Sequence, residues 1–252
     1  MRLTFSPGRQ ILLLLAIWQA PAWAAPPPAE FVYKPTADRE LRVRFQFPEA
    51  WKPTDRRAAL IFFYNGVWPD AHAERQFDEQ ADYFAKRGMV TARADYREKS
   101  RTLGETPRVC IEDIYSALRW VRKSAARLGV DSNRIAIGAG SGSAHLPASV
   151  FYIDEIRAAG DDPSISPRPG AMLVYHPDLD TLDPEVWHTM LEGRVERARD
   201  MSPTVVFIGT RDPGYPAIQQ FFGTLKKHGA PVELYVGEEA IHGFYKFSPW
   251  LE

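Results

Sequence analysis

Residues Pro107 to Leu146 read PRVCIEDIYSALRWVRKSAARLGVDSNRIAIGAGSGSAHL, and two different periodicities meet within them. Ile111, Ile114, Leu118, Val121, Ala125 and Leu128 recur at spacings of three or four, which puts them on one face of a helix running from Pro107 to Leu128. Pro107 opens that helix without losing a backbone donor that it needs, and Gly129 closes it. Arg134 to Gly138 then forms a short apolar run, as in a strand covered on both faces. It ends in the small residues Ala139-Gly140-Ser141-Gly142-Ser143-Ala144. A long amphipathic helix feeding a buried strand is the repeating unit of a parallel sheet with right-handed crossovers.

The same alternation extends in both directions. Ala59 to Tyr64, Met89 to Ala94, Ala171 to Tyr175, Thr204 to Ile208 and Val232 to Val236 are short apolar runs, expected as strands buried on both faces, with helical stretches between them. Leu41, Val43, Phe45 and Phe47 alternate with polar residues instead, which predicts a half-buried antiparallel opening strand. The expected fold class is α/β, a mostly parallel central sheet with helices on both faces. No internal repeat, low-complexity tract or second boundary interrupts it, so residues 25–252 are expected to form a single domain.

The first 24 residues read as a signal peptide. Arg2 and Arg9 give a positive start, Ile11 to Trp18 is a short apolar run, and Ala22-Trp23-Ala24 places small residues where a signal peptidase reads them. The run falls well short of the roughly 20 apolar residues that span a bilayer, and no cysteine follows the cut to carry a lipid. A secreted or periplasmic protein without a membrane anchor is expected. Pro26 to Pro28 reads as an extended leader.

Across its 252 residues the chain is 45% hydrophobic and 25% charged, the composition of a folded domain. Lys+Arg (31) balance Asp+Glu (32), which removes any general electrostatic drive toward nucleic acid or anionic membranes and points to a small or neutral partner. The single cysteine, Cys110, excludes an internal disulfide and a thiolate-type zinc site. Near the start of the long helix, it reads as a buried small apolar residue.

In parallel sheets chemistry gathers on loops leaving the carboxyl ends of strands, and three such loops stand out. Ser141 follows the strand Arg134 to Gly138 at a sharp strand-to-helix turn, where Gly140 and Gly142 relieve crowding. The pattern G-x-S-x-G is broken at both ends by Ala139 and Ser143, so a glycine-rich helix start that binds phosphate or merely turns remains an alternative. Asp212 lies in Gly209-Thr210-Arg211-Asp212-Pro213-Gly214, directly after the strand Thr204 to Ile208. His242 lies in Ala240-Ile241-His242-Gly243-Phe244, past the strand Val232 to Val236. A serine nucleophile needs a base, and the base needs a carboxylate to fix its tautomer and stabilise its cation. The order Ser141, Asp212, His242, each after its own strand, is the α/β-hydrolase order.

With these residues in place the sequence resembles the α/β-hydrolase esterases related to acetyl-xylan esterases, feruloyl esterases and the hormone-sensitive-lipase type, including exported planctomycete and verrucomicrobial esterase-like proteins. The resemblance runs from about Phe31 to the C-terminus. It rests on Trp51-Lys52-Pro53, Ala94-Asp95-Tyr96-Arg97, Asp113, Trp120-Val121-Arg122, Gly129-Val130-Asp131-Ser132-Asn133-Arg134-Ile135-Ala136 and His145-Leu146 after the turn. It implies Ser141 as nucleophile, Asp212 as acid and His242 as base, with no cofactor and no metal. It also implies an oxyanion-binding segment after the first buried strand. Here that segment is Tyr64-Asn65-Gly66-Val67-Trp68, with two of the family's glycines replaced and Tyr64 in place of its histidine. The N–H groups of Gly66 and Val67, joined by that of Gly142, are the expected oxyanion hole. An Asn-Gly hairpin turn is the competing reading, opposed by Val67-Trp68-Pro69-Asp70 entering a helix.

Other polar residues have plainer readings. Arg97 is expected to brace loops by ion pairing, and His145 to be a packed structural histidine. Asp178 and Asp180 are the fallback carboxylates should Asp212 be the wrong one. The reading is an exported serine esterase acting through an acyl-enzyme on short-chain or carbohydrate-linked esters, short-chain because no lipase-like apolar lid lies between Tyr175 and Thr204. Two alternatives are a non-catalytic relative binding a polysaccharide or cell-wall ligand, and a peptidase of the prolyl-oligopeptidase kind.

Overall fold

The computed structural model describes residues 30–37, 39–64, 75–97, 108–141, 154, 156–177 and 195–246. Eight strands form one sheet among these residues: β1 (Glu30–Pro35), β2 (Glu40–Gln46), β3 (Arg57–Phe63), β4 (Val90–Ala94), β5 (Val130–Ser141), β6 (Ala171–Pro177), β7 (Thr204–Gly209) and β8 (Val232–Gly237). They lie in the order β1-β2-β4-β3-β5-β6-β7-β8. The pairs β1/β2 and β2/β4 are antiparallel, and every pairing from β4 to β8 is parallel. This is the α/β-hydrolase fold expected from the sequence. Three α-helices accompany it among the described residues: α1 (Asp78–Lys86), α2 (Arg108–Lys123) and α3 (Tyr215–Lys227).

Alternation along β3 shows how the sheet is covered. Ile61 and Phe63 point into one core with Ile111, Ile114 and Leu118 of α2 and Ile218, Phe222 and Leu225 of α3. Leu60 and Phe62 point into a second, largely aromatic core with Phe77, Ala81 of α1, Tyr175 and Tyr245. An unbroken apolar run, as from Ala58 to Phe63, is therefore the correct sequence for the middle of this sheet. The antiparallel β2 alternates exposed with buried positions instead, Leu41, Val43 and Phe45 facing the α2 side.

Four elements depart from what the sequence predicts. Glu30–Pro35 is a strand, pairing with β2 beyond the proline-rich leader. β5 starts at Val130 and runs through Ser141, because it pairs with β3 from Arg57↔Val130 onward and with β6 to its last residue. β8 is not covered on both faces: Glu233 and Tyr235 are exposed, since β8 pairs only with β7 among the described strands. The α-helical part of the long helix ends at Lys123 and turns carry the chain to Gly129. Gly129 has φ +62, and a Cβ there would lie 2.6 Å from the Lys52 carbonyl oxygen, so both backbone sign and space call for glycine. The Trp51 indole N–H donates to the Leu128 carbonyl at 3.0 Å, pinning the helix end to the β2–β3 connection. Among the described residues, no helix is long and apolar enough to cross a membrane.

Candidate active site

Ser141 is the last residue of β5 and has φ +52, a left-handed conformation that costs energy for any residue with a Cβ. The β5/β6 register explains how it is held. Gly140 pairs with Tyr175 but Ser141 pairs with Pro177, so His176 is an extra residue on β6, a bulge that bends the strand beneath the turn. His176 also has positive φ, +34.

Asp212 and His242 reach Ser141 from the ends of β7 and β8, whose following loops are tied together by backbone hydrogen bonds. Thr210 N–H donates to Gly237 O and Arg211 N–H to Ala240 O, both at 3.0 Å, while Glu239 N–H donates to the Thr210 hydroxyl at 2.8 Å. Gly209 sits where they cross: a Cβ there would overlap the Ala240 carbonyl. The close approach of the two backbones requires glycine.

The result is a hydrogen-bonded chain of three side chains. Ser141 Oγ lies 3.2 Å from His242 Nε2, and His242 Nδ1 lies 2.7 Å from Asp212 Oδ2. The second Asp212 oxygen, Oδ1, accepts the Gly214 N–H at 2.9 Å. Burial would push the Asp212 carboxyl up, but the hydrogen bonds from His242 and Gly214 outweigh it and hold it below its ordinary value. An ionised Asp212 accepts a proton-bearing Nδ1, which leaves the Nε2 lone pair facing the Ser141 hydroxyl.

His176 completes this corner, although no sequence motif singles it out. Its ring is buried and 4.2 Å from that of His242, edge to face at 65°. Burial, and next the neighbouring His242, push its pKa down to about 3. The available signal was its place in Tyr175-His176-Pro177, at the carboxyl end of a predicted strand. Donor atoms of His176, Asp212 and His242 lie within 4.8 Å of one another. The Asp212–His242 separation of 2.7 Å is that of a hydrogen bond. Two donors sharing a tetrahedral zinc with bonds of about 2.0 Å would stand farther apart.

The remaining candidates divide cleanly. Gly66, Val67 and Gly142 of the expected oxyanion hole lie outside the described residues, as do His145, Asp178, Asp180, the segment Val67 to Asp70 and the first 24 residues. Arg97 lies past the carboxyl end of β4, where it ion-pairs with Asp113 of α2 at 2.8 Å. Cys110 is buried, its Sγ 3.3 Å from Arg97 O.

The family model BD-FAE matches residues 48–156. Among solved structures the chain is similar to esterase 2 of the planctomycete Thermogutta terrifontis. The form phosphonylated by cyclosarin is 34% identical with a TM-score of 0.71, covering 88% of this chain and 86% of that one. The butyrate-bound form is 33% identical, TM-score 0.71, covering 88% and 87%. The propionate-bound form is 34% identical, TM-score 0.71, covering 88% of each chain. No curated protein matches by sequence.

Proposed function

The chain belongs to the BD-FAE family of α/β-hydrolases and is a serine esterase, and from that premise we propose that it is exported and hydrolyses short-chain or carbohydrate-linked carboxylic esters through Ser141. The observation that carries the site assignment is the hydrogen-bonded chain Ser141–His242–Asp212, built from the ends of β5, β7 and β8 with the serine in a left-handed turn. Ser141 Oγ attacks the ester carbonyl while His242 Nε2 takes its proton, and Asp212 stabilises the imidazolium that forms. The proton passes to the departing alcohol, leaving an acyl-serine. Water, deprotonated by the same nitrogen, then releases the acid and regenerates Ser141. The N–H groups of Gly66, Val67 and Gly142 are proposed to bind the oxyanion.

Preference for short acyl groups is supported by the propionate- and butyrate-bound forms of the planctomycete esterase. Preference for carbohydrate-linked esters is supported by the family that the model describes. Turnover of 4-nitrophenyl acetate, butyrate and octanoate, alongside acetylated xylan and methyl ferulate, tests both. Rates falling steeply from butyrate to octanoate are expected, and equal or higher octanoate rates would overturn the short-chain reading. A phosphonate probe is expected to label Ser141, and labelling elsewhere would displace the nucleophile. Export predicts a mature N-terminus at or near Ala25, and secreted protein retaining Met1 would sink it.

A further inference from the structure

We propose that His176 is a positioning residue for His242, its ring serving as the wall that holds the imidazole in line between Ser141 and Asp212. This rests on the triad reading above and adds a fourth side chain to it.

The need for a wall follows from how few groups hold His242. Its side chain is 42% exposed, and its hydrogen bonds among the described residues are the two along the Ser141–Asp212 line. Those bonds fix the two ring nitrogens but leave the ring free to tilt about the line joining them. The His176 ring, edge to face at 4.2 Å, is the aromatic contact that opposes such tilting among the described residues.

That wall is itself rigidly backed. Phe62, Phe77, Tyr245 and His176 form a run of near-parallel rings, with centroid separations of 4.9, 5.5 and 5.0 Å and interplanar angles of 13°, 8° and 18°. Phe62 belongs to β3 at the centre of the sheet, so the run carries the rigidity of the sheet to the histidine loop. Tyr245 is held from the α1 side, its hydroxyl accepting from Gln76 Nε2 and its carbonyl from Gln80 Nε2, each at 3.2 Å. The bulge on β6 is what turns His176 toward this stack.

The nitrogens of His176 are not what positions it. Both are buried and have no hydrogen-bond partner among the described residues. His176 therefore acts through its ring face and edge. Of the titratable groups that face it, His242, Asp212, Lys246 and Tyr245, only His242 and Asp212 belong to the triad. Held neutral by burial at working pH, His176 adds no repulsion when His242 takes up its proton.

The test compares His176→Ala with His176→Phe on 4-nitrophenyl butyrate, with melting temperature and phosphonate labelling read on each. A misplacement of about 1 Å can cost about a hundredfold. His176→Ala is therefore expected to lose on the order of tenfold to a hundredfold in kcat with KM within about twofold, and to label correspondingly slowly. His176→Phe restores an uncharged ring of similar shape and is expected to recover most of that loss. A folded His176→Ala enzyme with wild-type kcat would overturn the proposal, as would a folded His176→Phe enzyme as slow as His176→Ala, which would assign the effect to the nitrogens. If wild-type protein turned over no ester and took no label, the triad reading would fail instead, which separates the two.

Discussion

Asp113 and Asp212 are buried carboxylates both held below their ordinary pKa, one on a helix and one in the loop after β7, in opposite chemical company. Asp113, on α2, receives Lys34 on one oxygen and Arg97 on both, through the Arg97 backbone N–H and guanidinium at 2.8 to 2.9 Å. Burial would raise it, but these cationic partners win. Asp212 is given a histidine and one backbone N–H. A carboxylate saturated by permanent cations has no charge left to offer a reaction, and it fixes β1, α2 and the end of β4 to one another. A carboxylate facing an imidazole sees its partner's charge appear and vanish with each proton transfer. The neighbouring Asp95 marks the boundary: burial wins there and raises it, although the Arg42 N–H and the largely exposed Arg39 both donate to it.

Removing the nucleophile is the largest effect expected on the site side of this comparison. Ser141→Ala should reduce ester turnover by on the order of a millionfold, whereas Ser143→Ala should keep most of it, as steady-state rates on 4-nitrophenyl acetate will show. Asp212→Asn should cost on the order of ten-thousandfold or somewhat less in kcat, because the amide favours the wrong imidazole tautomer. Its melting temperature should move little. Asp113→Asn should do the reverse, leaving kcat nearly intact while lowering stability by about 3 kcal/mol in urea titration, since two cations lose their buried partner. If Asp113→Asn lost activity without losing stability, the two corners would not be separate in function.

Gly209→Ala sharpens the contrast from the backbone side. Its methyl group meets the Ala240 carbonyl and must displace the histidine loop, so a loss of about a hundredfold in kcat is expected. Wild-type kcat in this variant would mean that the loop adapts without moving His242.

The smallest effect is in the acid limb of stability. A carboxyl whose folded pKa is depressed binds its proton more tightly in the unfolded chain. Its contribution is thus present above the unfolded value, about 3.8, and is lost as pH falls through the lower folded value. Melting temperature measured downward from pH 5 should therefore fall less steeply in Asp113→Asn than in wild type, the curves converging at the lowest pH. Parallel curves would show that Asp113 is not depressed.

Much of this architecture is legible in local patterns. Unbroken apolar runs marked the central strands because both faces of each are buried, and alternation marked β2 because only one is. Chain order alone aligned Ser141, Asp212 and His242, since each residue just past a parallel strand must emerge at the same edge of the sheet. In β8 only Glu233 signals the exposed face locally, because the aromatic Tyr235 on the same face reads as a buried position until its neighbours are known. Strand β1 was hidden for a related reason: its partner β2, not its own composition, makes it a strand.

The sequence by itself determined the alternating fold, the Ser141–Asp212–His242 order and the run of small residues that lets a serine occupy a tight turn. Only the tertiary structure decided that His176 abuts His242, that Asp113 belongs to Lys34 and Arg97, and that Gly209 has no room for a methyl group. These depend on contacts between residues up to 79 positions apart, as Lys34 and Asp113 are. They also depend on one inserted residue in the pairing of β6 with β5. Periodicity records which face of an element is buried, because hydrophobic burial acts on every residue along it. Which groups meet across those faces is set by strand order and register, which pairing between distant segments decides.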